Sequence, residues 1–140
     1  MEIHDDAALV SWEQAAALFE QVGWVPRSPE QLRVAFERSV ARGFAFHDGQ
    51  LVGVARAVGD GIYYAALVDV VVAPSFQRSG IGSALVSFVQ SRTSCSFLLT
   101  LTASADVQPF YRRLGWLRQS TAMLFPRSRE QADLNCYREP

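Results

Sequence analysis

The stretch Val70-Val71-Val72-Ala73-Pro74-Ser75-Phe76-Gln77-Arg78-Ser79-Gly80-Ile81-Gly82-Ser83-Ala84-Leu85 decides how this 140-residue chain is read. A β-branched run gives way to a loop rich in turn residues, and helical spacing begins at Gly80. The first turn of such a helix presents amides with no intrahelical partner, and its dipole places positive charge there. Glycines at 80 and 82 let a phosphate approach the backbone closely, and Arg78 adds the nearest full charge. The stretch predicts an anion-binding loop between a strand and a helix. The chain has no lysine, all 13 basic residues being arginine, so a P-loop of the G-x-x-x-x-G-K-[ST] type is excluded. A dinucleotide fingerprint fails as well, because Leu85 stands where the third glycine belongs and the preceding loop is too long.

Upstream, Ser11-Trp12-Glu13-Gln14 predicts a capping box, with Gln14 reaching back to Ser11, and a helix over 12–22 ended by Gly23. Ser28-Pro29-Glu30-Gln31 repeats the signal for a second helix, with Leu32, Phe36 and Val40 on one face. The period then changes. Strands over 44–47 and 51–58 flank Asp48-Gly49, a tight-hairpin signal, and Gly59-Asp60-Gly61 is a second turn. A long strand over 62–72 follows, then the loop and a helix over 80–92. Downstream come a strand over 97–101 and a short helix capped by Ser104 or Asp106, with Val107, Phe110, Tyr111 and Leu114 on one stripe. A final strand over 121–125 leads into a polar tail at 126–140. The expected order is α-α-β-β-β-α-β-α-β: one α/β domain over 1–140 with a mixed sheet flanked by helices.

Composition narrows the functional classes. Hydrophobic residues make up 49% and charged residues 19%, which excludes a disordered chain. A net charge of −1 gives no general attraction to nucleic acid or anionic membrane. Cys95 and Cys136 form no C-x-x-C pair, and with only His4 and His47 a zinc site lacks ligands, so no metal is expected. Two distant cysteines read as reduced thiols. The acidic start, MEIHDDAALV, lacks the layout of a signal peptide, and the longest apolar run contains Asp69. The reading is a soluble, cytoplasmic protein.

Gln77-Arg78-Ser79-Gly80-Ile81-Gly82, preceded by Val72-Ala73-Pro74, resembles the Q/R-x-x-G-x-G/A loop of the GNAT acetyltransferases after its strand-ending V-x-P. Phe110-Tyr111-Arg112-Arg113-Leu114-Gly115-Trp116 resembles the family's F-Y-x-x-x-G-F segment. The likeness extends over roughly residues 12–125. Within the superfamily, Val58-Gly59-Asp60-Gly61 and Asp69-Val70-Val71-Val72 are similar to small bacterial members and to plastid arylalkylamine acetyltransferases.

This resemblance implies a GNAT-like fold and transfer of an acetyl group from acetyl-CoA to a primary amine by direct attack. It implies a pyrophosphate site at Gln77, Arg78, Ser79, Gly80, Ile81, Gly82 and Ser83, where Gln77 alternatively only shapes the loop. It also implies that Val70 and Val72 offer backbone groups to the pantetheine arm, with Val71 between them in the cofactor site and a bulge in their strand opening the slot. Tyr111 stands where the family places an acid for the leaving thiolate, although its apolar stripe reads equally as core packing. Asp69 is either a base for the amine or a buried partner for Arg56 or another arginine. Trp12, Trp24, Tyr63, Tyr64, Trp116 and Phe125 are candidates for an aromatic acceptor pocket, against the plainer reading of core residues. A small amine is the expected partner, with homodimerisation implied only by relatives. The alternatives are a protein amine or aminoacyl-tRNA as acceptor, or a non-catalytic acyl-CoA-binding regulator.

Overall fold

The computed structural model describes residues 1–133; Cys136 lies outside them. The chain divides into two compact units, Met1–Leu101 and a second beginning at Thr102. Both predicted N-terminal helices form: α1 spans Trp12–Gln21 and α2 spans Pro29–Glu37. Ser11 Oγ accepts from Gln14 N at 3.3 Å and Ser28 Oγ from Gln31 N at 3.0 Å, so each serine satisfies one orphan amide. The return half of the first capping box does not form among the described residues, since no bond joins the Ser11 N–H to the Gln14 side chain; the Ser11 hydroxyl separately donates to Glu13.

The first unit holds five strands: β1 (Glu2–His4), β2 (Ala41–His47), β3 (Gln50–Gly59), β4 (Tyr64–Val72) and β5 (Leu98–Leu101). They lie in that spatial order, antiparallel except for the parallel β4–β5 pair. α3 (Ile81–Arg92) makes the crossover a parallel pair requires. Asp48 and Gly49 both have positive φ, 49° and 75°, as the expected tight hairpin needs. β4 begins two residues later than predicted. Asp60 Oδ1 accepts from the amides of Ile62, Tyr63 and Tyr64, and this turn holds Ile62 and Tyr63 out of the ladder. These three bonds hold the Asp60 carboxyl below its ordinary pKa.

The sheet has two occupied faces. Phe44, Val54 and Val71 pack with Phe19 of α1 and with Leu32 and Phe36 of α2 into one buried cluster. On the other face α3 lies close to the strands. A Cβ built on Gly53 would stand 2.9 Å from Leu85 Cδ1 and 3.1 Å from the Val71 carbonyl oxygen, and one on Gly43 would stand 3.0 Å from Phe88. Glycines there seat the helix against the sheet.

In the second unit α4 spans Gln108–Arg113, and a further turn of helix, α5, spans Arg129–Asp133. Neither Ser104 nor Asp106 caps α4 through its side chain; the Ser104 carbonyl accepts from Val107 and Gln108 instead. The strand expected over 121–125 does not form, and Met123 and Phe125 are exposed. Among the described residues no helix is long and apolar enough to cross a membrane.

Candidate active site

β4 pairs with β3 along its whole length, from Ala65 to Val72. On its other side the ladder to β5 covers only Tyr64 to Leu67. Beyond Leu67, β4 therefore offers backbone that β5 does not use. The register on β3 slips at this point, with Arg56 opposite Asp69 and Ala57 opposite Leu67, so Val68 is an extra residue. That is the expected bulge, placed where the two strands cease to pair.

Which groups of β4 face the free side follows from one bond. Ala73 N donates to Val52 O at 2.8 Å, which makes Val72 and Gly53 a pair without mutual hydrogen bonds. By the antiparallel alternation, Val70 and Val72 turn their N–H and C=O groups away from β3. Val71 does the opposite: its backbone serves β3 and its side chain is buried in the core. Val70 and Val72, the two valines whose backbone is expected to meet the arm, are the ones whose N–H and C=O groups turn away from β3, with the Val72 carbonyl taken by Gln77; Val71, grouped with them as a cofactor residue, gives its backbone to β3.

The loop after β4 is built by its own hydrogen bonds. Phe76 N donates to Ala73 O at 2.8 Å, Gln77 Nε2 to Val72 O at 3.0 Å, and the Ser79 hydroxyl to Phe76 O. Gln77 thus shapes the loop by holding the last β4 carbonyl. Arg78 has φ 61°, which is rare for a residue with a Cβ, and Gly80 has φ 87°. These two left-handed residues turn the chain into α3.

The start of α3 differs from the other two long helices. Ser11 and Ser28 cap α1 and α2, but Gly80 caps α3 with no side-chain hydrogen bond. The first helical bond runs from Ala84 N to Gly80 O, so the amides of Ile81, Gly82 and Ser83 precede the ladder. Nothing lies within 4 Å of a Cβ built on Gly80. Amides ahead of the ladder at the positive end of a twelve-residue helix, next to the exposed Arg78, have the charge and geometry to receive an anion.

Asp69 is 3% exposed and accepts at Oδ2 from two arginines, Arg56 Nε at 2.5 Å and Arg27 Nη1 at 3.0 Å. Arg56 was a foreseen partner. Arg27, in the segment between α1 and α2, was missed. No hydrogen bond from a described residue reaches Oδ1. Tyr111, in the second unit, is half-buried, with Phe110 and Trp116 edge-on to its ring at 4.9 and 6.1 Å. Burial raises its phenol above the ordinary value, so the group stays protonated through neutral pH. Of the aromatic residues weighed for an acceptor pocket against core packing, those of the first unit do not gather in one place. Trp12 packs on Phe36 and Phe44, whereas Tyr63 and Tyr64 stack with Phe97 on the exposed end of the sheet.

Comparison with known proteins agrees with this geometry. The sequence profile of the GNAT acetyltransferase domain matches residues 40–117. Serotonin N-acetyltransferase 2, a chloroplast protein of Oryza sativa subsp. japonica, is 37% identical over 123 residues, 81% of this chain and 62% of its own. An uncharacterised N-acetyltransferase, ycf52, of Gracilaria tenuistipitata var. liui is 32% identical over 106 residues, 71% of this chain and 58% of its own. The chain thus spans about three fifths of these curated relatives. A putative acetyltransferase structure from Deinococcus radiodurans R1 superposes with a TM-score of 0.79 at 30% identity, covering 90% of this chain and 87% of the other. The β4 edge left unpaired beyond Leu67, the uncapped α3 and these matches have one meaning: the chain belongs to the GNAT acetyltransferase family.

Proposed function

We propose that the chain is an acetyl-CoA-dependent N-acetyltransferase whose acceptor is a primary amine on a small molecule. The observation that carries this reading is the uncapped start of α3 beside the unpaired edge of β4. The amides of Ile81, Gly82 and Ser83, with Arg78, suit a pyrophosphate. Val70 and Val72 suit an extended amide chain such as pantetheine, which would bind as an added strand does. Acetyl-CoA supplies the activated acyl group as a thioester.

The chain's residues then have distinct tasks. The Val72 N–H, turned to the free side, polarises the thioester carbonyl. Asp69, through Oδ1 or a water on it, accepts the proton that the amine nitrogen sheds as its bond to the acyl carbon forms. The resemblance of the Phe110-Tyr111 segment, rather than any placement against β4, gives Tyr111 the task of passing a proton to the sulfur as the C–S bond breaks, and burial keeps its phenol protonated. Holding both substrates in one site supplies much of the acceleration. The name of the rice relative places arylalkylamines among the acceptors to try.

Thermal unfolding with acetyl-CoA and a thiol-release assay over an amine panel test the reading. At one hundred times its dissociation constant, acetyl-CoA should add about 2.7 kcal/mol of stability. An unchanged melting temperature at saturating acetyl-CoA overturns the assignment. Stabilisation without CoA release on any amine makes the protein a binder instead.

A further inference from the structure

The cluster around Asp69 holds more positive charge than its carboxylate needs. Arg56, 15% exposed and 2.5 Å from Oδ2, already neutralises Asp69; its remaining contacts are the neutral Ser39 Oγ at 3.4 Å and the Phe36 ring. Arg27 then adds a second cation to the same oxygen. Among the described residues no other carboxylate lies within 4 Å of either guanidinium. The three groups carry a net charge of about +1, and the excess lies on Arg27, whose partly exposed side chain can meet a further anion.

Arg27 is also built as a fork rather than a loose surface side chain. Its guanidinium lies over the Phe19 ring, 4.4 Å from the centroid, and 5.6 Å from that of Trp24. These rings fix its plane. Of its five N–H donors only one reaches an acceptor in a described residue, and the side chain is 33% exposed. A rigid guanidinium with free donors at an open edge matches the bidentate geometry of a carboxylate.

We infer that Arg27 reads a carboxylate on the acceptor, so that the preferred substrate is an amino acid rather than a simple amine. The inference rests on the transferase reading and deepens it. Arg27 is one hydrogen bond from Asp69, which adjoins the Val68 bulge and the free β4 edge. A carboxylate on Arg27 and an amine at that edge therefore fit within one small molecule. The same excess charge disfavours an ammonium and so favours the neutral amine that attacks. It also selects against polyamines.

Matched pairs differing only in the carboxylate provide the test: L-tryptophan against tryptamine, and L-phenylalanine against phenethylamine. Calorimetry with the CoA-saturated protein should show the acid binding at least about tenfold more tightly than its amine. Arg27→Gln should erase that difference, and Arg27→Lys should restore part of it, since an ammonium lacks the fork. An amine that binds as well as its acid, or an acid advantage that survives Arg27→Gln, overturns the inference. If Arg27→Gln does not fold, the wild-type pairs and Arg27→Lys decide. Calorimetry reads acceptor binding without turnover, so a missing acid preference is distinct from a missing acetyl-CoA stabilisation, which would sink the transferase reading itself.

Discussion

Asp69→Asn is the perturbation that best separates pairing from proton transfer. The asparagine keeps the volume but removes the charge on which Arg56 and Arg27 converge, and its amide nitrogen adds donors facing donors. Removing one partner of a buried pair costs about 3–5 kcal/mol. Here Arg56 is nearly enclosed, whereas Arg27 can turn part of its charge to water, so a loss of about 3 kcal/mol is expected. With an unfolding entropy of about 2.1 cal/mol/K per residue, a 140-residue chain should lose about 10 °C in Tm. Urea unfolding followed by tryptophan fluorescence measures the loss directly. A loss under about 1 kcal/mol refutes the structural weight given to this cluster. If kcat falls by about 10²–10⁴ while the protein remains folded at the assay temperature, Asp69 moves the proton; a stability loss with kcat retained leaves it an anchor.

Two further outcomes follow from the site. Tyr111→Phe keeps the ring against Phe110 and Trp116, so stability should change little while kcat drops by about 10²–10⁴ and KM for acetyl-CoA holds. Because burial raises the phenol's pKa, the alkaline loss of wild-type kcat should lie above the pH where a free tyrosine titrates; a threefold or smaller effect of the substitution returns Tyr111 to packing alone. Gly82→Asp puts a like charge at the start of α3 and should raise KM for acetyl-CoA strongly, with Arg78→Ala milder; normal CoA binding by a folded Gly82→Asp would remove the phosphate site from this loop.

Much of the fold was legible where one local signal had one physical meaning. Ser11 and Ser28 announce helix starts, Asp48-Gly49 can only turn tightly, and the β-branched run into Gly80 reads as strand, loop and helix. The misses are where tertiary pairing decides. β1 is three residues, Glu2–His4, ordered by its ladder to Phe44–Phe46, and nothing in their composition announces a strand. Residues 121–125 have strand-like composition but no partner in the described ladders, and propensity alone does not make a strand. Of the candidate site residues, the glycine loop and Tyr111 stood out by motif. Arg27 did not, because an arginine between Pro26 and Ser28 looks like any solvated loop residue until Asp69 is seen to face it.

The internal bonding of the loop before α3 bears on how fast a ligand can be captured. Its turns are tied by Phe76, Gln77 and Ser79 to carbonyls of the same segment, and α3 is seated on Gly43 and Gly53 of the sheet. The amides ahead of Ala84 are therefore fixed before any anion arrives, and little chain entropy is lost on encounter. A cradle of this kind needs no closing step on arrival. If this loop is the pyrophosphate site proposed above, capture at Arg78 and Gly80 is governed by diffusion and by the local electric field, and a slow conformational event in the cycle would belong elsewhere in the chain.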